Sequence, residues 1–120
     1  MLIGDDNENA ATVLAMLLKA LGNVVRTAFD GRSAIKIAED FRPEIILLDI
    51  GMPTMNGFET AARIRETPWG GSVVLAALTG WGQEEDKRRT REAGFDYHFV
   101  KPVEASALCK LLADYEPNAQ

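Results

Sequence analysis

One cysteine and one histidine are all that this chain of 120 residues contains of the two softer metal-ligating side chains. Cys109 therefore forms no internal disulfide, and with His98 as the lone imidazole there is no Cys/His set at zinc spacing. A reducing interior suits such a chain, and a structural metal framework is excluded. Long apolar runs are absent as well: stretches such as Val73 to Leu78 fall far short of the roughly 20 residues of a membrane span. The start, Met1-Leu2-Ile3-Gly4-Asp5-Asp6, lacks the basic and apolar regions of a secretory leader, so a cytoplasmic chain with no membrane contact is expected. Basic excess is missing too. Thirteen Lys and Arg against eighteen Asp and Glu leave a net charge of −5 and no phosphate-tracking face, which argues against direct contact with nucleic acid. What is present, 47% hydrophobic and 26% charged residues, is globular and makes one domain over residues 1–120, with no room for a second.

Short apolar runs alternate with helical patterns, the mark of β/α units around a parallel sheet, and five such units can be counted. Met1 to Gly4 leads to a helix near Glu8 to Leu21, with Leu14, Leu17, Leu18 and Leu21 on one face and Gly22 as terminator. Val24 to Ala28 leads to a helix near Arg32 to Phe41 that Asp30 caps and Pro43 stops. Ile45-Ile46-Leu47-Leu48 is apolar at every position, as a strand covered on both faces requires, and Val73 to Leu78 reads the same way. Val24-Val25-Arg26-Thr27 is mixed and suits a sheet edge, Tyr97 to Val100 is the last strand, and Ala105 to Tyr115 is the last helix. The segment Gln83 to Ala93 has helix chemistry without an apolar stripe. Its acids precede its bases, Glu84 with Arg88 and Glu85 with Arg89 are spaced as i,i+4 pairs, and its weak docking predicts easy displacement.

In an open parallel sheet the ligand crevice lies beyond the carboxyl ends of the strands. There stand Asp5 and Asp6 after the first strand, Asp49 after the third, Thr79 after the fourth and Lys101 after the fifth. With right-handed crossovers and strand order 2-1-3-4-5, the first and third strands are neighbours and three carboxylates converge. Their repulsion in a half-desolvated crevice calls for protons or cations. A hydrated, oxygen-ligated Mg2+ (or Mn2+ in its place) answers best, because three carboxylates, the Lys101 ammonium and one divalent ion sum to zero charge. Such a site is set up for phosphate: Asp49 is the covalent nucleophile, while Lys101 and Thr79 bind the phosphoryl oxygens.

Asp5-Asp6, the run Leu47-Leu48-Asp49-Ile50-Gly51-Met52-Pro53-Thr54-Met55-Asn56-Gly57, Thr79-Gly80 and Phe99-Val100-Lys101-Pro102 together resemble a response-regulator receiver domain over essentially the whole chain. The resemblance implies a flavodoxin-like doubly wound α/β fold with five strands and five helices. It implies that Asp49 takes phosphate from a phosphohistidine of a histidine kinase or histidine phosphotransfer protein, and that a downstream protein reads the change. It further implies that Asp6 binds the metal directly and Asp5 largely through water, that the Gly51 carbonyl is another ligand, that Lys101-Pro102 is a cis peptide, and that Thr79 and His98 form the switch, with His98 where Tyr or Phe is common. Such a domain modifies itself and is not a turnover enzyme. Thr79-Gly80-Trp81-Gly82-Gln83-Glu84 and Ala93-Gly94-Phe95-Asp96-Tyr97-His98 look most like receivers at the C-terminal end of hybrid sensor kinases, so excision from a larger protein is expected.

Two other classes fit less well. A haloacid-dehalogenase-like phosphotransferase wants a second Asp two residues after the nucleophile, where Gly51 stands, and a flavin-phosphate binder wants a Ser/Thr/Gly loop where Asp5-Asp6-Asn7-Glu8 would repel the phosphate. An inactive receiver, serving as a binding module, should have lost an acid or the lysine, and none is missing. Gly51 and Trp81 flank the water path to the acyl phosphate and orient no nucleophile, so slow autodephosphorylation is expected, shortened by Trp81→Glu in a lifetime measurement. The mixed charges on the face formed by the helix from Gln83, the strand at Tyr97 and the helix from Ala105 favour transient partners, and the oligomeric state stays open.

Overall fold

Ile45, Ile46, Leu47 and Leu48 are each at most 2% exposed, because helices cover the strand they form on both faces. That strand lies at the centre of a sheet in the computed structural model, which describes residues 1–52, 55–80 and 84–114, with the side chains of 84–86 excepted. The elements in chain order are β1 (Leu2–Gly4), α1 (Glu8–Ala20), β2 (Arg26–Ala28), α2 (Gly31–Phe41), β3 (Ile45–Asp49), α3 (Gly57–Arg65), a 3-10 turn (Gly70–Ser72), β4 (Val74–Thr79), α4 (Glu84–Glu92), β5 (Tyr97–Val100) and α5 (Ala105–Asp114). All strand pairs are parallel and the order is β2-β1-β3-β4-β5, as the sequence predicts.

Alternation along the strands divides the core in two. Ile3, Leu47, Ala76 and Leu78 pack with Ala11, Ala15 and Leu18 of α1 and Leu108 and Leu111 of α5. Leu2, Ile46, Leu48, Leu75 and Ala77 pack with Ala34 and Ala38 of α2, Ala61 and Ile64 of α3, and Phe95 just beyond α4. At roughly 2 kcal/mol for each fully buried Leu or Ile, these two layers dominate the stability. Asn7 caps α1 by accepting from the Ala10 amide at 3.0 Å, and Asp30 caps α2 by accepting from the Ser33 amide at 2.8 Å.

Several boundaries differ from expectation. The face of α1 that docks is Ala11, Ala15 and Leu18, with Leu14 and Leu17 only flanking it and Leu21 left 41% exposed. Small alanines let the helix lie close to the sheet, and because Val13 to Leu18 is apolar throughout, periodicity does not pick the face. β2 begins at Arg26, leaving Val24 at 73% exposure while Val25 enters the core. β4 and the helix from Gly31 are each shifted by one residue, which falls within the fraying of element ends. α4 spans Glu84–Glu92, and its expected Glu84–Arg88 and Glu85–Arg89 pairs involve side chains outside the described residues. Arg89 lays its guanidinium 4.9 Å over the Phe58 ring of α3. Tyr115, expected in α5, also lies outside the described residues.

α3, for which the sequence reading set no bounds, starts at a full capping box. Asn56 accepts from the Glu59 amide at 2.9 Å, and the Glu59 carboxylate accepts from the Asn56 amide at 3.1 Å. At its far end Arg65 donates to the Gly94 carbonyl through Nε at 3.1 Å and Nη2 at 2.7 Å, to the Gly70 carbonyl at 2.8 Å and to the Val73 carbonyl at 2.6 Å. It also pairs with Asp96 at 2.9 Å, so one guanidinium ties α3, the 3-10 turn, β4 and the α4–β5 turn together.

Candidate functional site

The register aligns Gly4 with Leu48 across the β1–β3 ladder, so the next residues, Asp5 and Asp49, leave the sheet side by side. β5 aligns Val100 with Thr79, and the Lys101 amide then donates to the Thr79 carbonyl at 2.7 Å, setting the lysine against the same crevice. By alternation Asp5, Asp49 and Lys101 continue the face of Ile3, Leu47 and Phe99, whereas Thr79 and His98 continue the opposite face, toward α4.

Each buried carboxylate is held at both oxygens. Asp5 Oδ1 accepts from the Asn7 amide and Asp49 Oδ1 from the Gly51 amide, both at 3.0 Å. The remaining oxygens, Asp5 Oδ2 and Asp49 Oδ2, each receive Lys101 Nζ at 3.1 Å. Asp5 is 2% and Asp49 8% exposed, Thr79 is buried, and Asp6 reaches solvent. Carboxylate oxygens of Asp5, Asp6 and Asp49 lie within 4.8 Å of one another. The Lys101–Pro102 peptide is cis.

Burial pushes the Asp5 carboxyl above the ordinary carboxylate range, further helped by the Asp49 charge and only partly offset by the Asn7 amide and Lys101. Burial acts upward on Asp49 as well, but there the Gly51 amide and the Lys101 ammonium outweigh it and hold the carboxyl below its usual range. Lys101 is raised: its two carboxylate partners overcome the burial that would lower it. Of the two, Asp49 is the carboxyl whose ionised form the surroundings favour.

Four of the expected residues, Asp5, Asp6, Asp49 and Lys101, are brought together, with Thr79 at the adjoining strand end. His98 stands apart from the acids, with Nδ1 3.1 Å from the hydroxyl of Thr90. Gly51 is exposed, at the turn beside Asp49. Trp81, and with it the expectation about the water path, lies outside the described residues, as do Pro53 and Thr54. The sequence reading missed Thr90, although as the one uncharged residue of α4 it was there to be noticed. It gave no role of its own to Gly57, where a Cβ would stand 2.5 Å from Ile50 Cα and 2.8 Å from the Asp49 carbonyl oxygen.

The chain matches the response regulator receiver domain over residues 1–113. An uncharacterized 14.6 kDa protein of Leptolyngbya boryana is 32% identical over 96% of this chain and 88% of its own length. The sensor histidine kinase RcsC of Salmonella typhi is 34% identical over 96% of this chain, but only 12% of RcsC is covered. Among solved structures, the receiver domain of a sensor histidine kinase from Pseudomonas aeruginosa PAO1, with a magnesium ion coordinated in its active-site cleft, aligns at TM-score 0.86 and 30% identity over 95% of this chain and 93% of that one. Receiver domains are phosphoacceptor signalling switches rather than turnover enzymes. Match, sheet order and acid–lysine cluster converge, and this chain belongs to the response regulator receiver domain family.

Proposed function

We propose that Asp49 of this receiver accepts a phosphoryl group from the phosphohistidine of a histidine kinase or histidine phosphotransfer protein, and that a downstream protein partner reads the result. The carrying observation is Lys101 Nζ at 3.1 Å from both Asp49 Oδ2 and Asp5 Oδ2, with the Asp6 carboxylate close by. Asp49 attacks phosphorus, an O–P bond forms, the P–N bond breaks, and the imidazole leaves with the electron pair. Lys101 and Thr79 contact the transferred oxygens.

With every group ionised, three carboxylates and one ammonium leave two negative charges among oxygen ligands only, which fits Mg2+, and Mn2+ less selectively. Asp5, Asp6, Asp49 and the Gly51 carbonyl would hold it, and when bound it would offset the charge gathered as phosphate approaches. Beside the site a groove of about 390 Å³, lined by Val13, Leu14 and Leu17 of α1 and by Pro102 and Val103, supports a protein donor over a small one. No helix among the described residues is long and apolar enough to cross a membrane, which accords with the cytoplasmic setting of such a donor. The resemblance to a hybrid kinase receiver supports a place within a longer kinase chain.

Intact mass after incubation with a small acyl phosphate tests this. One phosphoryl group should be added with Mg2+ present, none with the metal chelated, and none in Asp49→Asn. A native, folded chain that gains no mass with Mg2+ from either the small donor or a phosphohistidine protein would refute it.

A further inference from the structure

Among the described residues, the anchoring of α4 gathers beyond its C-terminus. Beyond its C-terminus the chain turns at Gly94, with φ +103°, and the Gly94 carbonyl is gripped twice by Arg65. Asp96 Oδ2 joins the same clamp, accepting from Arg65 at 2.9 Å and from the Leu75 amide at 3.0 Å, while Phe95 is buried. This end is pinned to α3 and β4. Toward the other end, Lys87, Arg88 and Arg89 are all exposed, and Arg89 lies over the Phe58 ring. Among the described side chains of the helix, Thr90 alone is buried, at 2%.

The Thr90 hydroxyl lies 2.8 Å from the Lys87 carbonyl and 3.1 Å from His98 Nδ1. A hydroxyl has one hydrogen, and a carbonyl only accepts. Unless that hydrogen is shared between two acceptors, both contacts are made together when Thr90 donates to Lys87 and His98 donates its Nδ1 hydrogen to the Thr90 oxygen. This assigns the imidazole hydrogen to Nδ1 and makes the bond a direct tie between β5 and the middle of α4. A phenylalanine ring at His98 has no donor to make it.

We propose that the Thr90–His98 hydrogen bond is the latch that holds α4 against the sheet, the Arg65–Gly94 clamp being the fixed end about which the released helix turns. The coupling of the latch to phosphate rests on the phosphoacceptor reading above. His98 lies three residues before Lys101 on β5, and the Lys101 amide is bonded to Thr79, so a shift of those two residues toward a phosphoryl group is transmitted to the strand that carries the latch.

Amide hydrogen exchange across α4 in the unphosphorylated full chain decides the latch without any phosphate. Thr90→Val, which keeps the shape and loses the hydroxyl, should exchange about tenfold faster than native across α4, with β3 unchanged. Thr90→Ser should stay near native, His98→Phe should exchange at least as fast as Thr90→Val, and the double variant should go no further than His98→Phe. Native exchange in Thr90→Val, equal acceleration in Thr90→Ser, or additive singles would overturn the latch. A second arm repeats the measurement after phosphorylation, scored by mass. Native α4 should then approach the rate of Thr90→Val, and unchanged exchange in protein whose mass shows the phosphoryl group would overturn the coupling. Failure to gain mass would instead count against the phosphoacceptor reading, leaving the first arm to stand or fall by itself.

Discussion

Lys101→Met is expected to destabilise the metal-depleted protein by about 2 kcal/mol at neutral pH, and added Mg2+ should recover most of that loss. Removing one partner of a buried ion pair typically costs about 3–5 kcal/mol, and the figure is reduced here because the Lys101 side chain remains 33% exposed at an open crevice. In the native chain one ammonium serves two buried carboxylates, and without it Asp5 and Asp49 face each other uncompensated. The pH dependence follows from the signs. Lys101 has a raised pKa, so its contribution is complete below the ordinary lysine range and is lost as pH rises through its higher folded value. Asp49 is held low, so its contribution is present above the ordinary carboxylate range and is lost as pH falls through its depressed folded value. Asp5 runs the other way, its raised pKa favouring the folded state most when it is protonated. In Lys101→Met both acids lose a partner that lowered them, so their carboxyls take up protons earlier on acidification. The gap between native and variant therefore narrows as pH falls. Urea midpoints at neutral and acidic pH, with and without Mg2+, would show this, and a gap independent of both pH and metal would remove the electrostatic account.

Most of the framework was legible because the physics is local in sequence. A strand apolar at every position must be covered twice, and polar residues at successive strand ends must share one rim once the order is β2-β1-β3-β4-β5. Asp5, Asp6, Asp49 and Lys101 met for that reason. What escaped depended on tertiary closeness. The docking face of α1 turned on which residues are small rather than which are apolar, and the role of Arg65 rests on carbonyls of Gly94 and Val73 that no spacing rule connects. α3 escaped for a different reason. Asn56-Gly57-Phe58-Glu59 has the spacing of a capping box, but it sits inside a run whose likeness to a phosphoacceptor loop drew attention to the loop instead. Thr90 was hidden among charges that describe a solvated helix, although an uncharged residue in such company is where a buried contact has to form.

Gly57→Ala should strike stability and phosphoacceptance together. Gly57 opens α3, and its amide donates to the Ile50 carbonyl at 3.3 Å. A Cβ there would stand 2.5 Å from Ile50 Cα and 2.8 Å from the Asp49 carbonyl oxygen, both main-chain atoms that cannot rotate away. Either the first turn of α3 retreats from its Asn56 cap or the Asp49–Gly51 turn is pushed outward, and the second course disturbs the Gly51 amide that holds Asp49 Oδ1. Overpacking of this kind costs about 1–3 kcal/mol, and displacing a reacting group by about 1 Å can slow a reaction by about a hundredfold. We expect a loss of about 3 kcal/mol and phosphorylation slowed more than tenfold at a temperature where the variant is still fully folded. Gly71→Ala is the control, since nothing lies within 4 Å of its added carbon, and it should stay within about 0.5 kcal/mol of native. If Gly57→Ala were as stable and as quickly phosphorylated as Gly71→Ala, the close approach of α3 to the Asp49 turn would play no part in holding the site. If stability fell while the rate in the folded variant stayed native, Gly57 would serve the packing of α3 alone, and the position of Asp49 would be set by Gly51 and Lys101 without it.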